Sequence, residues 1–156
     1  MTVLGLDSAE RTGYAVVVRD HGGRERLERH GTLTVRSAAD VDAAASELAG
    51  AGPDVVAVEE PFIHPRNPAT GLALARLLGR WLQAFEGRGF TVVTVPASMW
   101  QPATLPGVTQ RTRSAERKAA AVAFARERFN VEVGEDAADA IALAVFVART
   151  ATRRAA

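Results

Sequence analysis

Hydrophobic and polar positions divide the chain into short strands first and longer helices later. Residues 2–7 (TVLGLD) form an apolar run ending in an acid, and residues 13–19 (GYAVVVR) a second, β-branched run closed by the turn signal His21-Gly22-Gly23. Residues 27–35 return as a third strand, so the pattern predicts an antiparallel meander at the start of the chain. Ser37, with Asp40 three residues on, predicts a helix N-terminus, and the helix continues through Leu48 until Gly50, Gly52 and Pro53 stop it. Residues 54–59 (DVVAVE) are continuously apolar up to their final acid, as expected of a strand covered on both faces.

A loop containing Pro61, Pro65 and Pro68 follows, then a strong helical pattern over 69–86 and a fifth strand over 90–95 (FTVVTV). Residues 96–113 carry three prolines and little periodicity, which predicts a long irregular connection of the kind that often bears function. Ser114 is the expected cap of a helix to residue 129, and Glu135 opens a last helix to residue 150. Three meandering strands followed by α-β-α-β-α describe a single α/β domain over 1–150 with a mixed sheet. The tail, 151–156, bears arginines and is expected to fray.

The helix over 69–86 is apolar on more than one face. Leu74, Leu77, Leu78, Trp81 and Phe85 form one stripe; Leu72, Ala75 and Leu82 widen it, leaving a narrow polar seam at Arg76, Arg80 and Gln83. One stripe suffices to pack a surface helix on a core. The excess points to a second partner, a twofold-related copy of the chain.

Composition narrows the chemistry. The 156 residues, 47% of them hydrophobic, can bury a real core, which excludes a disordered chain. There is no cysteine, so disulfides and thiolate metal sites are excluded, leaving carboxylates and histidines as metal ligands. The start of the chain has no secretory pattern and no run reaches the roughly 18 apolar residues of a membrane span, so a soluble, cytoplasmic protein is expected. The net charge of +1 argues little for nucleic acid; Lys118 is the only lysine, and several of the arginines cluster between residues 111 and 128.

The acids are the informative residues. Asp7 and Glu59 each end an apolar strand, and in α/β sheets ligand sites gather beyond the carboxyl ends of strands. If those two strands are neighbours, their acids converge. Asp136 and Asp139, at i and i+3, share one face at the start of the last helix. The helix N-terminus favours one acid there by about 0.3–1 kcal/mol. It does not account for Asp139, set in AADAIALAVFVA, where an unpaired carboxylate would cost on the order of several kcal/mol. A bound cation would remove that cost. Hard oxygen ligands suit Mg²⁺ or Mn²⁺, and a pair of such ions about 4 Å apart can activate water and stabilise the leaving oxygen in phosphodiester hydrolysis. In that reading Asp7 bridges the metals, Glu59 holds one of them, and the aspartate pair completes the set.

The segments LGLDSAERTGYAVV, PDVVAVEEPF and EDAADAIALAV, in that order, resemble the RuvC-type Holliday-junction resolvases of the ribonuclease H-like superfamily over nearly the whole chain. The resemblance implies a five-stranded mixed sheet flanked by helices, and a homodimeric, Mg²⁺- or Mn²⁺-dependent endonuclease that nicks four-way DNA junctions. The family's four acidic positions fall on Asp7, Glu59, Asp136 and Asp139. It also implies a base-stacking role for Phe62, with stacking worth about 1–3 kcal/mol. A basic position early in the penultimate helix falls near Lys118, with Arg117 competing for the role, and a phosphate could be met there. Arg111 and Arg113 are candidates for further phosphate contact.

Two departures stand out. The family's Pro-Gly after the first aspartate is Ser8-Ala9 here, so the turn must be made differently. Glu60 follows Glu59, and strand alternation lets only one of them face inward; Glu59 is the expected ligand. The scattered histidines His21, His30 and His64 are assigned no role. The nearest alternatives are a related nuclease acting on other branched DNA or on RNA, and a non-catalytic DNA-binding module of the same fold. An actin-like ATPase half would need a glycine-rich phosphate loop and a second similar domain, and the sequence has neither.

Overall fold

The N-terminal apolar runs form β1 (Thr2–Asp7), β2 (Arg11–Arg19) and β3 (Glu25–Thr34), paired antiparallel in chain order. The computed structural model describes residues 1–63 and 65–154. β4 (Val55–Glu60) lies parallel to β1 on its other side, and β5 (Val92–Pro96) parallel to β4, giving the order β3-β2-β1-β4-β5. The strands ending in Asp7 and Glu59 are therefore neighbours, and β1 is the switch point from which the sheet grows both ways.

Helices α1 (Ala38–Ala49) and α2 (Pro68–Glu86) cover one face of the sheet; α3 (Ala97–Thr104), α4 (Ser114–Phe129) and α5 (Glu135–Arg154) belong to the other. Ser37 caps α1 as expected: its hydroxyl accepts from the Asp40 amide at 3.1 Å, and the Asp40 carboxylate accepts from the Ser37 amide at 2.8 Å. No helix among the described residues is long and apolar enough to cross a membrane.

The period-2 alternation of the strands sorts the two cores. Leu4, Leu6, Val16, Val56 and Val58 pack with Leu48, Trp81 and Phe85 on the α1–α2 face. Val3, Ala15, Val17 and Ala57 pack with Trp100, Phe124, Ile141 and Leu143 on the α5 face. Asp7 follows Val3 and Gly5 onto the α5 face, and Glu59 follows Val55 and Ala57 onto the same face, whereas Glu60 alternates away and is exposed.

Three expectations need revision. The segment 96–113 is not wholly irregular, because α3 forms inside it with Pro102 in its interior. Proline costs a helix one backbone donor; complete burial of Trp100 supplies the tertiary anchor that overrides the local signal. The cap of α4 is Arg113, not Ser114, with the Arg113 amide donating to Glu116 Oε2 at 3.3 Å and Ser114 already helical. Finally, α5 runs to Arg154, past the expected end at residue 150. The tail expected over 151–156 thus starts as helix. Residues 155 and 156, and the loop histidine His64, lie outside the described residues.

Candidate active site

Asp7 and Glu59 lie one residue beyond the last parallel pair, Leu6 with Val58, so neighbouring strands deliver both side chains to one end of the sheet. The start of α5 is laid over that end. Two strand glycines make this approach possible: a Cβ on Gly5 would stand 2.4 Å from the Ala140 carbonyl oxygen, and one on Gly13 only 1.8 Å from the Asp136 carbonyl oxygen. Gly13 is also the antiparallel partner of Asp7. The bare backbone at Gly13 therefore brings Asp136 beside Asp7, and Asp139 follows one turn along the same helix. A glycine within a strand signals close backbone approach, and Gly5 and Gly13 carry that signal in the sequence.

Ser8 and Ala9 make the turn by hydrogen bonding. The buried Ser8 hydroxyl donates to the Glu59 carbonyl at 3.2 Å, tying the ends of β1 and β4 together. The Ala9 amide donates to the Asp7 carbonyl at 3.0 Å, and the fully buried Thr12 hydroxyl donates to the Ala9 carbonyl.

The acids are electrostatically coupled. Burial pushes the Asp7 carboxyl up to about 6, with Asp136 adding to the rise and Lys118 opposing it. Burial likewise raises Asp139 to about 7, reinforced by Asp7 and again opposed by Lys118. Glu59 is raised furthest, to about 8, by burial and then by Asp7 and Asp139, against the Trp100 hydrogen bond and Arg117. For each of these carboxyls the nearby cation, Lys118 or Arg117, offsets only part of the cost of burial and of the neighbouring acids.

The donor set fits a hard divalent cation, because a cluster of partly buried carboxylates is what such an ion requires and stabilises. Among the described residues no three acid or histidine side chains already form a closed cage. Two of the acids are drawn aside by protein partners: Arg11 Nε holds Asp136 Oδ2 at 3.0 Å, and Trp100 Nε1 donates to Glu59 Oε2 at 3.0 Å. Arg11 and Trp100 were not singled out in the sequence. Arg11 carried no distinguishing pattern, and Trp100 lay in a stretch read as irregular.

The basic candidates separate into two positions. Lys118 bonds Glu135 at 2.8 Å, which with the nearby Asp139 and Asp136 holds its ammonium above the ordinary lysine range. It faces the side of the cluster formed by Asp7 and Asp139. Arg117 lies on the Glu59 side, its Nη1 donating to Gln101 Oε1 at 3.1 Å. The two therefore flank the cluster and do not compete for one place. Arg111 and Arg113 are exposed on the connection before α4, where a turn closed by Thr109 and Thr112 precedes the helix.

Phe62 is 80% exposed, so it is not part of the hydrophobic core. It stands on the rim of an open groove of about 870 Å³ that begins at Glu59 and continues past Ile63, Pro102, Gln101 and Arg117. The site thus has a buried acidic end and an open, mixed apolar and polar channel leading from it.

No protein-family model matches the chain. Among curated proteins, a crossover junction endodeoxyribonuclease RuvC of Halorhodospira halophila (strain DSM 244 / SL1) is 31% identical over 153 residues, covering 92% of this chain and 87% of that protein. Among solved structures, Thermus thermophilus RuvC aligns with a TM-score of 0.76 at 23% identity, over 97% of this chain and 98% of its own. A fowlpox virus resolvase, solved with its substrate Holliday junction DNA, aligns with a TM-score of 0.67 at 14% identity over 97% and 99% of the two chains. These structures share the mixed five-stranded sheet with flanking helices, and the sequence relationship settles the family: the chain belongs to the RuvC family of crossover junction endodeoxyribonucleases.

Proposed function

We propose that the chain nicks four-way DNA junctions by metal-dependent phosphodiester hydrolysis, with two copies making a symmetric pair of cuts. The observation that carries this reading is the set of three partly buried carboxyls, Asp7, Glu59 and Asp139, held far above the usual carboxylate range at one end of the sheet. Uncompensated acids cost stability, and such clusters belong to functional sites. Asp7, Glu59, Asp139 and Asp136 would hold Mg²⁺ or Mn²⁺, with Asp7 central to the couplings among them. When bound, a pair of such ions supplies an activated water and stabilises the leaving oxygen.

The chain's own residues do the remaining work. Lys118, whose charge acts on Asp7 and Asp139, would neutralise the phosphate being cut. Phe62, on an exposed rim, offers a face for a base unstacked at the branch. Arg111 and Arg113 extend a positive approach for the backbone. The homodimer rests on α2: Trp81 and Phe85 fill the core, while Leu72 is 52% exposed and Leu74 and Ala75 remain half-buried. A twofold pair built on that face gives two equivalent sites for two equivalent strands.

The test is nicking of a synthetic four-way junction against linear duplex and structured RNA, with Mg²⁺, with Mn²⁺ and with chelator. Paired nicks confined to the junction and to the metal-containing samples are expected. Equal cutting of duplex or RNA would overturn the substrate, and cutting in chelator would overturn the metal dependence.

A further inference from the structure

Alternation along β2 puts Arg11 on the same face as Gly13, the face over which the start of α5 is laid. The guanidinium meets Asp136 there, with Nε 3.0 Å from Oδ2. Lys118 and Arg117 are placed differently, since Lys118 bonds Glu135 and Arg117 bonds Gln101. Arg11 thus grips one of the four acids directly, as a positive charge on a carboxylate for which a divalent cation would compete. The pair stands in solvent, the Arg11 side chain being 72% exposed, and an exposed ion pair is weak enough to exchange partners. A guanidinium carries five N–H donors and Nε accounts for one of them, so the fork of the two Nη groups can meet a second anion.

The place of Arg11 in the sheet says which anion. In the order β3-β2-β1-β4-β5, Asp7 and Glu59 lie at the ends of the two adjacent strands β1 and β4. The groove with Phe62 and Arg117 opens on the β4–β5 side, whereas Arg11, paired with Thr34 of β3, stands on the β2–β3 side. A DNA strand with its scissile phosphate at the acids extends past them in both directions, and Arg11 is a cation it meets on the side away from the groove.

We propose that Arg11 is a phosphate-binding residue stored on Asp136 in the metal-free protein, and that it changes partner, from that carboxylate to a DNA phosphate, when the acids hold a divalent cation. The exchange makes metal and junction assist one another: DNA that draws Arg11 away frees Asp136 as a ligand, and an acid already committed to a cation releases Arg11 to DNA. This rests on the metal-dependent, junction-cutting reading above.

Two measurements on the full chain test it. Calorimetric titration of the DNA-free protein with Mn²⁺ compares wild type with Arg11→Gln and with Arg36→Gln, which removes a charge from the exposed Arg36–Glu10 pair and leaves Asp136 alone. Arg11→Gln should bind Mn²⁺ about two- to fivefold more tightly, the strength of an exposed ion pair, and Arg36→Gln should match wild type. Junction affinity is then followed against salt concentration, in chelator and in Ca²⁺, a hard cation that the same acids can hold. In Ca²⁺ the salt dependence of Arg11→Gln should be shallower than that of wild type by about one phosphate contact, with Arg11→Lys restoring it. In chelator the two slopes should coincide. Mn²⁺ binding by folded Arg11→Gln that is unchanged or weaker overturns the proposal, the weaker case showing that Arg11 orients Asp136 as a ligand. A slope difference that is absent in Ca²⁺, or equal in both conditions, overturns it too. If wild type and Arg11→Gln both bind no Mn²⁺, the metal-site reading itself is refuted, an outcome distinct from these.

Discussion

Trp100 donates its indole N–H to Glu59 Oε2 at 3.0 Å, joining residues 41 positions apart in sequence. The ring is fully buried in the core on the α5 face, so the side chain that anchors α3 also holds the carboxylate of Glu59, the proposed metal ligand. Trp100→Phe keeps an aromatic ring there but removes the donor. It should lower junction nicking by about 10–100-fold, as loss of a residue orienting a metal ligand does. Stability should fall by about 1–3 kcal/mol, and junction affinity should stay within about twofold. Nicking at the wild-type rate in the folded variant would show that the hydrogen bond does not orient Glu59.

The acid cluster makes metal-free stability depend on pH in an unusual direction. In the unfolded chain these carboxyls ionise near about pH 4. Folded, Asp7, Asp139 and Glu59 hold their protons to about 6, 7 and 8. Between these limits the folded state binds more protons than the unfolded one, so stability falls as pH rises from about 4 to about 8. Melting curves in chelator should show that fall. Mg²⁺ should raise the melting temperature, and more at pH 8 than at pH 5, because only the ionised carboxylates bind it well. A metal-free melting temperature that climbs through this range would contradict the raised acids.

Gly13→Ala should be severe. Its Cβ would lie 1.8 Å from the Asp136 carbonyl oxygen, against backbone that cannot swing aside. The start of α5 must then lift from β2, carrying Asp136 and Asp139 away from Asp7. A stability loss of about 1–3 kcal/mol is expected from overpacking. Nicking should also be lost under conditions where circular dichroism shows the variant folded. Normal nicking would mean that α5 can reseat without disturbing the acids.

Phe62→Ala should reduce cleavage more than binding. The side chain is 80% exposed, so its removal opens no core cavity and the melting temperature should hold. Losing one base-stacking contact, worth about 1–3 kcal/mol, should appear mainly in the single-turnover nicking rate. Equal losses in affinity and rate would point to a simple contact with bound DNA.

Much of this site was legible in the sequence because its signals are local. Asp7 and Glu59 end continuous apolar runs, and the same alternation that packs Val3 and Ala57 against α5 carries both acids to that face while turning Glu60 outward. The i, i+3 spacing of Asp136 and Asp139 is equally local. What escaped was long-range. The proline-containing stretch after β5 reads as loop by propensity, and α3 forms there because Trp100 is buried by elements distant in sequence. Arg11 meets Asp136 only because β2 passes beneath the start of α5. The buried Glu25, its side chain 2% exposed, likewise joins Arg149 and Arg128 across more than one hundred residues. No sequence spacing announces such a pairing.

The most direct test of the account is the behaviour of Asp7→Asn on a four-way junction. Asp7 is the residue to which Glu59 and Asp139 both couple, and the amide keeps its shape while removing its charge. The account predicts loss of Mg²⁺-dependent nicking to background, junction binding within about threefold of wild type, and a higher metal-free melting temperature at pH 8. Continued nicking by the folded variant at a rate near that of wild type would contradict it.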